Sequence, residues 1–118
     1  MIPEEILNKK STLTHFDWNL IRRHPENGIK ILRKLTKISE PSKHIVLHHH
    51  ERHSGSGYPD GLRSRAIPLF AKICAIADVF EGLTSNRPYK DRQSNFGALK
   101  VMSAEMRGEF ETWLCSRL

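Results

Sequence analysis

A chain of 118 residues, 38% of them hydrophobic, has room for one domain with a modest core. No apolar run is long enough to span a membrane, and Met1-Ile2-Pro3-Glu4-Glu5 is no secretion signal. The net charge of +6 favours anionic partners, but the cations are spread along the chain without a helix-turn-helix pattern or a basic stripe, so nucleic acid is not an expected partner.

In chain order, Ile2-Pro3-Glu4-Glu5-Ile6-Leu7 reads as a short helical turn, with proline and acidic residues where a helix begins. Thr14 caps a second helix and Asp17, three residues on, forms a capping box with it. That helix runs through Phe16, Trp18, Leu20 and Ile21 to Arg22 and Arg23. Pro25 interrupts it and leaves His24 at a helix junction, where a side chain can project into a cleft. The next helix carries Ile29, Leu32 and Leu35. A polar link from Thr36 to Lys43 contains Pro41, and a further helix starts near Ser42. It carries Ile45, Val46 and Leu47 and delivers His48, His49 and His50 at its end.

A glycine loop follows, from Ser54-Gly55-Ser56-Gly57 through Tyr58-Pro59-Asp60-Gly61. Neutral imidazoles are good transition-metal ligands, and a glycine loop lets backbone N–H groups approach an anion closely. Together they suggest phosphoester chemistry. The plainer alternative is a solvated helix end followed by ordinary turn material. Pro68 then opens the longest helix, to about Leu83, with Ile73, Ile76, Ala77 and Phe80 as its apolar stripe. Cys74 lies in this pattern and is expected to pack as a small hydrophobe. Asp78 lies there too. A buried carboxylate needs a cationic, hydrogen-bonding or metal partner. With no Cys-x-x-Cys pair, a reduced, cytoplasmic setting fits Cys74 and Cys115 best. Ser94 caps a helix holding Phe96, Leu99, Met102 and Met106. Gly108 breaks it, and Phe110 to Leu114 makes a last short one. No strand pattern emerges, so the expected fold class is all-α.

His24-Pro25, His49-His50-Glu51, Gly57-Tyr58-Pro59, Ala77-Asp78 and Arg87-Pro88-Tyr89 stand in one order and spacing. This resembles the HD-GYP family, all-helical metal-dependent phosphodiesterases of bacterial signalling within the HD superfamily. The resemblance implies a helical bundle of the HD superfamily type in which two or three ions, iron or manganese, hydrolyse cyclic di-GMP. It implies that His24, His49, His50 and Asp78 are metal ligands, that Tyr58 lies near the nucleotide, and that Arg87 and Lys90 hold its phosphates. Adjacent positions on a helix diverge by about 100°, so His49 and His50 are expected to serve different ions. Glu51 is expected to orient a ligating imidazole from behind.

Two departures qualify this. The family's His-Asp pair, an earlier histidine ligand and a lysine match nothing here, because they lie upstream of the segment matching Ile2 and Pro3. Residues 1–118 are therefore expected to be the C-terminal part of the family's domain, incomplete at its N-terminus and impaired as an enzyme. Ser54 also stands where the family usually has aspartate, which takes a carboxylate out of the loop. The alternative to an enzyme is a non-catalytic signalling module. It would bind a cyclic dinucleotide, or a partner such as a diguanylate cyclase domain, through the Gly-Tyr-Pro loop. Apolar surface left by absent helices would favour a homodimer.

Overall fold

Thr14 and Asp17 close the first turn of a helix on each other. The Thr14 hydroxyl accepts the Asp17 backbone N–H and the Asp17 carboxylate accepts the Thr14 N–H, so two of the donors that a helix start leaves unpaired are satisfied locally. Lys9 adds a charged hydrogen bond to the same carboxylate. A computed structural model describes residues 2–86 and 91–105 of the chain. Its helices are α1 (Glu4–Leu7), α2 (His15–Ile21), α3 (His24–Leu32), α4 (Glu40–His48), α5 (Leu69–Thr84) and α6 (Asn95–Glu105), with a 3₁₀ turn at Ser64–Ala66. Among the described residues the only extended pairing is an isolated bridge between Ser54 and Arg63, so the all-α expectation holds. None of these helices is long and apolar enough to cross a membrane.

The α2–α3 break falls at Arg22 and Arg23, and Pro25 sits in the first turn of α3, where its missing N–H costs nothing. Leu35, expected on α3, lies beyond its end and is exposed. α4 begins at Glu40, not near Ser42. Pro41 belongs to its first turn, and Ser39 is the cap, accepting the Ser42 N–H. A proline that reads as a linker is here a helix start.

α3 packs on α4, α4 on α5, and α5 on α6. Gly28 allows the first of these contacts: a Cβ there would stand 2.9 Å from the Val46 side chain. Ala75, Ile76 and Met102 form the centre of the α5–α6 contact, with Val79, Phe80 and Leu83 against them. The apolar stripe expected on α5 is rotated. Ala71, Ala75 and Ile76 face inward, whereas Ile73, Cys74 and Ala77 are exposed. Cys74 therefore does not pack as a buried hydrophobe. The same rotation leaves the Asp78 side chain 49% exposed, so the expected buried carboxylate is a half-solvated one. The cause is that α5 is apolar on nearly every side. Its sequence period does not select a face, and the packing of α4 and α6 does. Ser94 caps α6 as expected, accepting the Gly97 N–H, but Phe96 and Leu99 are exposed and Ala98 and Met102 carry the buried side. The loop at 87–90, Met106, the break at Gly108, the helix from Phe110 and Cys115 lie outside the described residues.

Thr14→Ala should cost about 1 kcal/mol of stability, read from the urea midpoint at constant slope. The acid limb reports the other half of the box. The Lys9 ammonium first, and then the Thr14 N–H, hold the Asp17 carboxyl down from 3.8 to about 2. A carboxylate lowered by folding adds stability that is complete above pH 3.8 and lost as pH falls toward 2. In Asp17→Asn that part of the pH dependence should disappear, leaving a flatter stability profile across the same window.

Candidate metal centre

The break between α2 and α3 and the end of α4 bring three imidazoles together. His24 opens α3, and its Nδ1–H donates to the Ile21 carbonyl across the break at 2.7 Å. His49 caps the C-terminus of α4, and its Nδ1–H donates to the Val46 carbonyl at 2.9 Å. A carbonyl can only accept, so Nδ1 carries a proton in both rings, and in the neutral imidazole Nε2 is then the nitrogen with the free lone pair. Those two Nε2 atoms lie 3.4 Å apart, and the Nε2 of His50 lies 3.0 Å from that of His24. His49 and His50 do not diverge as helical spacing predicts. α4 ends at His48, and the two rings, with centroids 4.2 Å apart, both turn to His24.

Lone pairs aimed at one another repel unless a cation or a proton lies between them. Burial, reinforced by the neighbouring His49 and His24 and by Arg52, pushes the His50 imidazole down to about 3. His50 is therefore neutral at physiological pH and free to ligate, because protons and metal compete for the same lone pair. Imidazoles fixed through Nδ1–H to carbonyls and converging through Nε2 are a donor set suited to a first-row transition metal. His24, His49 and His50 thus fit a metal ion.

Asp78 approaches from α5. Its Oδ2 is 4.0 Å from Nδ1 of His50, the ring nitrogen turned away from His24. It stands next to the cluster and outside the group of atoms that converge. Tyr58 walls the site on another side, its ring stacked on His50 with centroids 4.8 Å apart and planes 20° apart. The Arg22 guanidinium lies 5.8 Å from the Tyr58 ring centre. Sequence reading missed Arg22, which looks like an ordinary helix end; its position two residues before His24, on the same break, was the available signal. Arg87 and Lys90 lie outside the described residues.

Glu51 does not orient a ligating imidazole. Its fully buried carboxylate accepts the backbone N–H groups of Asp60, at 2.7 Å, and Leu62, at 2.8 Å. It thereby anchors the glycine loop beneath the end of α4. Ser54 has no carboxylate to offer, and its hydroxyl meets that of Ser56. The Tyr58 N–H donates to the His50 carbonyl, which draws the aromatic ring against the cluster. Gly57 makes this approach possible: a Cβ there would fall 2.5 Å from both the Arg52 nitrogen and the Glu51 Cα.

The HD domain family matches residues 1–111 of this sequence. The chain belongs to that family. Among curated relatives of this HD domain, a cyclic di-GMP phosphodiesterase of Pseudomonas aeruginosa is 42% identical over 110 residues, covering 93% of this chain and 26% of that protein. The cyclic di-GMP phosphodiesterase response regulator RpfG of Xanthomonas campestris is 44% identical over 105 residues, covering 88% of this chain and 28% of its own. A 3'3'-cGAMP-specific phosphodiesterase of Vibrio cholerae is 36% identical over 118 residues, covering 99% of this chain and 23% of that one. This HD domain thus spans about a quarter of the length of these relatives. A solved HDG"Y"P protein from Bdellovibrio bacteriovorus matches with a TM-score of 0.72 at 18% identity, over 94% of this chain and 35% of that one, which establishes the shared helical fold. The resemblance to HD-GYP domains read from the motifs is borne out.

Gly57→Ala should force the loop off the end of α4. Overpacking against backbone that cannot move predicts a loss of roughly 1–3 kcal/mol in chemical denaturation. Tyr58 should become more accessible to solvent in the same variant, measured by its ultraviolet difference spectrum.

Proposed function

We propose that this HD domain is the metal- and nucleotide-binding part of a cyclic di-GMP phosphodiesterase. The observation that carries the reading is the convergence of the Nε2 atoms of His24 and His49 with that of His50, which is held neutral. The names of the curated relatives support the substrate class. His24, His49 and His50 would hold iron or manganese. Asp78, half exposed beside His50, would complete an ion's shell or fix the proton of His50 on Nδ1. When bound, the metal would supply Lewis acidity at the phosphodiester and a water that ionises near neutral pH.

The remaining residues position the nucleotide. Tyr58 offers an aromatic face at the mouth of the cluster, and Arg22 places a cation beside that face. Arg87 and Lys90 are proposed to hold phosphate oxygens. Three imidazoles and one carboxylate are few donors for two or three ions, so we propose slow turnover by this chain on its own.

The test is elemental analysis after anaerobic loading with Fe(II) or Mn(II), followed by hydrolysis assays on cyclic di-GMP and 3'3'-cGAMP. The expected result is bound metal, weak hydrolysis that a chelator abolishes, and preference for cyclic di-GMP. Asp78→Ala should weaken metal affinity by about 10- to 100-fold while leaving the melting temperature of the metal-free chain unchanged. Arg87→Ala should weaken cyclic di-GMP binding by about 10-fold or more with metal content unaltered. Failure to take up metal would sink the proposal. Dinucleotide binding that survives chelation, without hydrolysis, would favour a non-catalytic signalling module.

A further inference from the structure

A second group of donors lies apart from the first, between the end of α4 and the glycine loop. His48, the last residue of α4, has a side chain only 9% exposed, and its Nδ1 is buried without a hydrogen-bond partner. An imidazole nitrogen stranded in this way is costly unless something unseen satisfies it. Two carboxylates face it. Oδ2 of Asp60 is 3.6 Å away and Oε1 of Glu51 is 3.9 Å away.

These separations decide the reading. Both are too long for an N–H···O hydrogen bond, which closes to about 2.7–3.2 Å. Both are close to the spacing between neighbouring ligands of a tetrahedral ion with bonds of about 2.0–2.2 Å, roughly 3.4 Å. The three donor atoms lie within 4.8 Å of one another. Their placement has a local cause. The Glu51 carboxylate is held by the N–H groups of Asp60 and Leu62, which leaves further lone pairs on Oε1. The same bond fixes the Asp60 backbone, so its side chain returns toward His48. The Asp60 side chain is 53% exposed and leaves the group open to solvent on one side.

We propose that His48, Glu51 and Asp60 form a second divalent-metal site, separate from the His24, His49 and His50 cluster. One imidazole and two carboxylates suit a first-row ion such as Zn²⁺, Mn²⁺ or Co²⁺. An ion there would tie Asp60, and through it the Pro59–Tyr58 segment, to the end of α4. It would act as a clasp on the loop that carries Tyr58. The site does not depend on the phosphodiesterase reading, because a chain inert toward cyclic dinucleotides would still take this ion.

The experiment uses the whole chain carrying His24→Ala and His49→Ala, which leaves the first cluster with one imidazole. It is titrated with Zn²⁺ by calorimetry and with Co²⁺ by visible absorption. One ion per chain is expected. Adding Asp60→Asn, a change at a half-exposed side chain, should weaken binding at least tenfold with the circular dichroism spectrum unchanged. Asp60→His, which supplies a nitrogen donor at the same place, should retain the ion. A parent chain that takes no ion, or an Asp60→Asn chain that binds as tightly as its parent, would overturn the proposal.

Discussion

The buried carboxylate of Glu51 is the interaction on which the rest of this end of the molecule depends. A carboxylate with no exposed surface is tolerable only where donors surround it, and here two backbone N–H groups, from Asp60 and Leu62, do so. The consequence runs outward in both directions. The loop from Arg52 to Leu62 is pinned to the α4 terminus, which seats Gly57 against the backbone of His50 and Glu51 and sets Tyr58 on the His50 ring. Asp60 is returned toward His48. One side chain thus places the aromatic wall of one donor cluster and a member of the other.

The His24 cluster is held by a different device. His24 and His49 are far apart in sequence, and each is tied to a carbonyl three residues before it. Because these bonds are local, the rings keep their tautomer and orientation whatever the neighbouring elements do. Only the meeting of the rings depends on tertiary packing, through the approach of α3 to α4 that Gly28 permits. Preorganisation is therefore divided between local hydrogen bonds, which aim each nitrogen, and one helix–helix contact, which brings the nitrogens together.

Much of this was legible in the sequence. Thr14, Asp17, Pro25 and Ser94 announced their helix ends, because caps and prolines act through neighbours along the chain. The histidines of the cluster stood out by residue type and position. What the sequence did not disclose was governed by packing. The sequence of α5 does not select its inward side, nor therefore the exposure of Cys74 and Asp78, since an almost uniformly apolar helix has no period to read. Pro41 reads as linker because a proline in a first turn and a proline in a loop differ only in the cap before it, here Ser39, which stands among other polar residues. Glu51 reads as a partner of an imidazole because it sits beside two of them in sequence. Its real partners lie nine and eleven residues further on, across a loop whose path no local signal specifies.

The two donor clusters bear on stability as well as chemistry, because the buried apolar set is small: Ile29, Ile67, Ala71, Ala75, Ile76, Ala98 and Met102 among the described residues. Three of these are alanines, which contribute little area. A domain with so thin a core has little to spend on unpaired polar atoms, yet it gathers the Nε2 atoms of His24, His49 and His50 within hydrogen-bonding distance and buries Nδ1 of His48 without a partner. A cation bound at either cluster would take up the lone pairs gathered there. The free energy of ion binding would then be stability that the core itself does not supply, since any ligand that binds the folded chain alone shifts the folding equilibrium toward it. On this reading the donors gathered at the α4 terminus and the modest core are one arrangement. The helices define where the nitrogens meet, and a bound ion would hold together helices that apolar packing alone secures only in part.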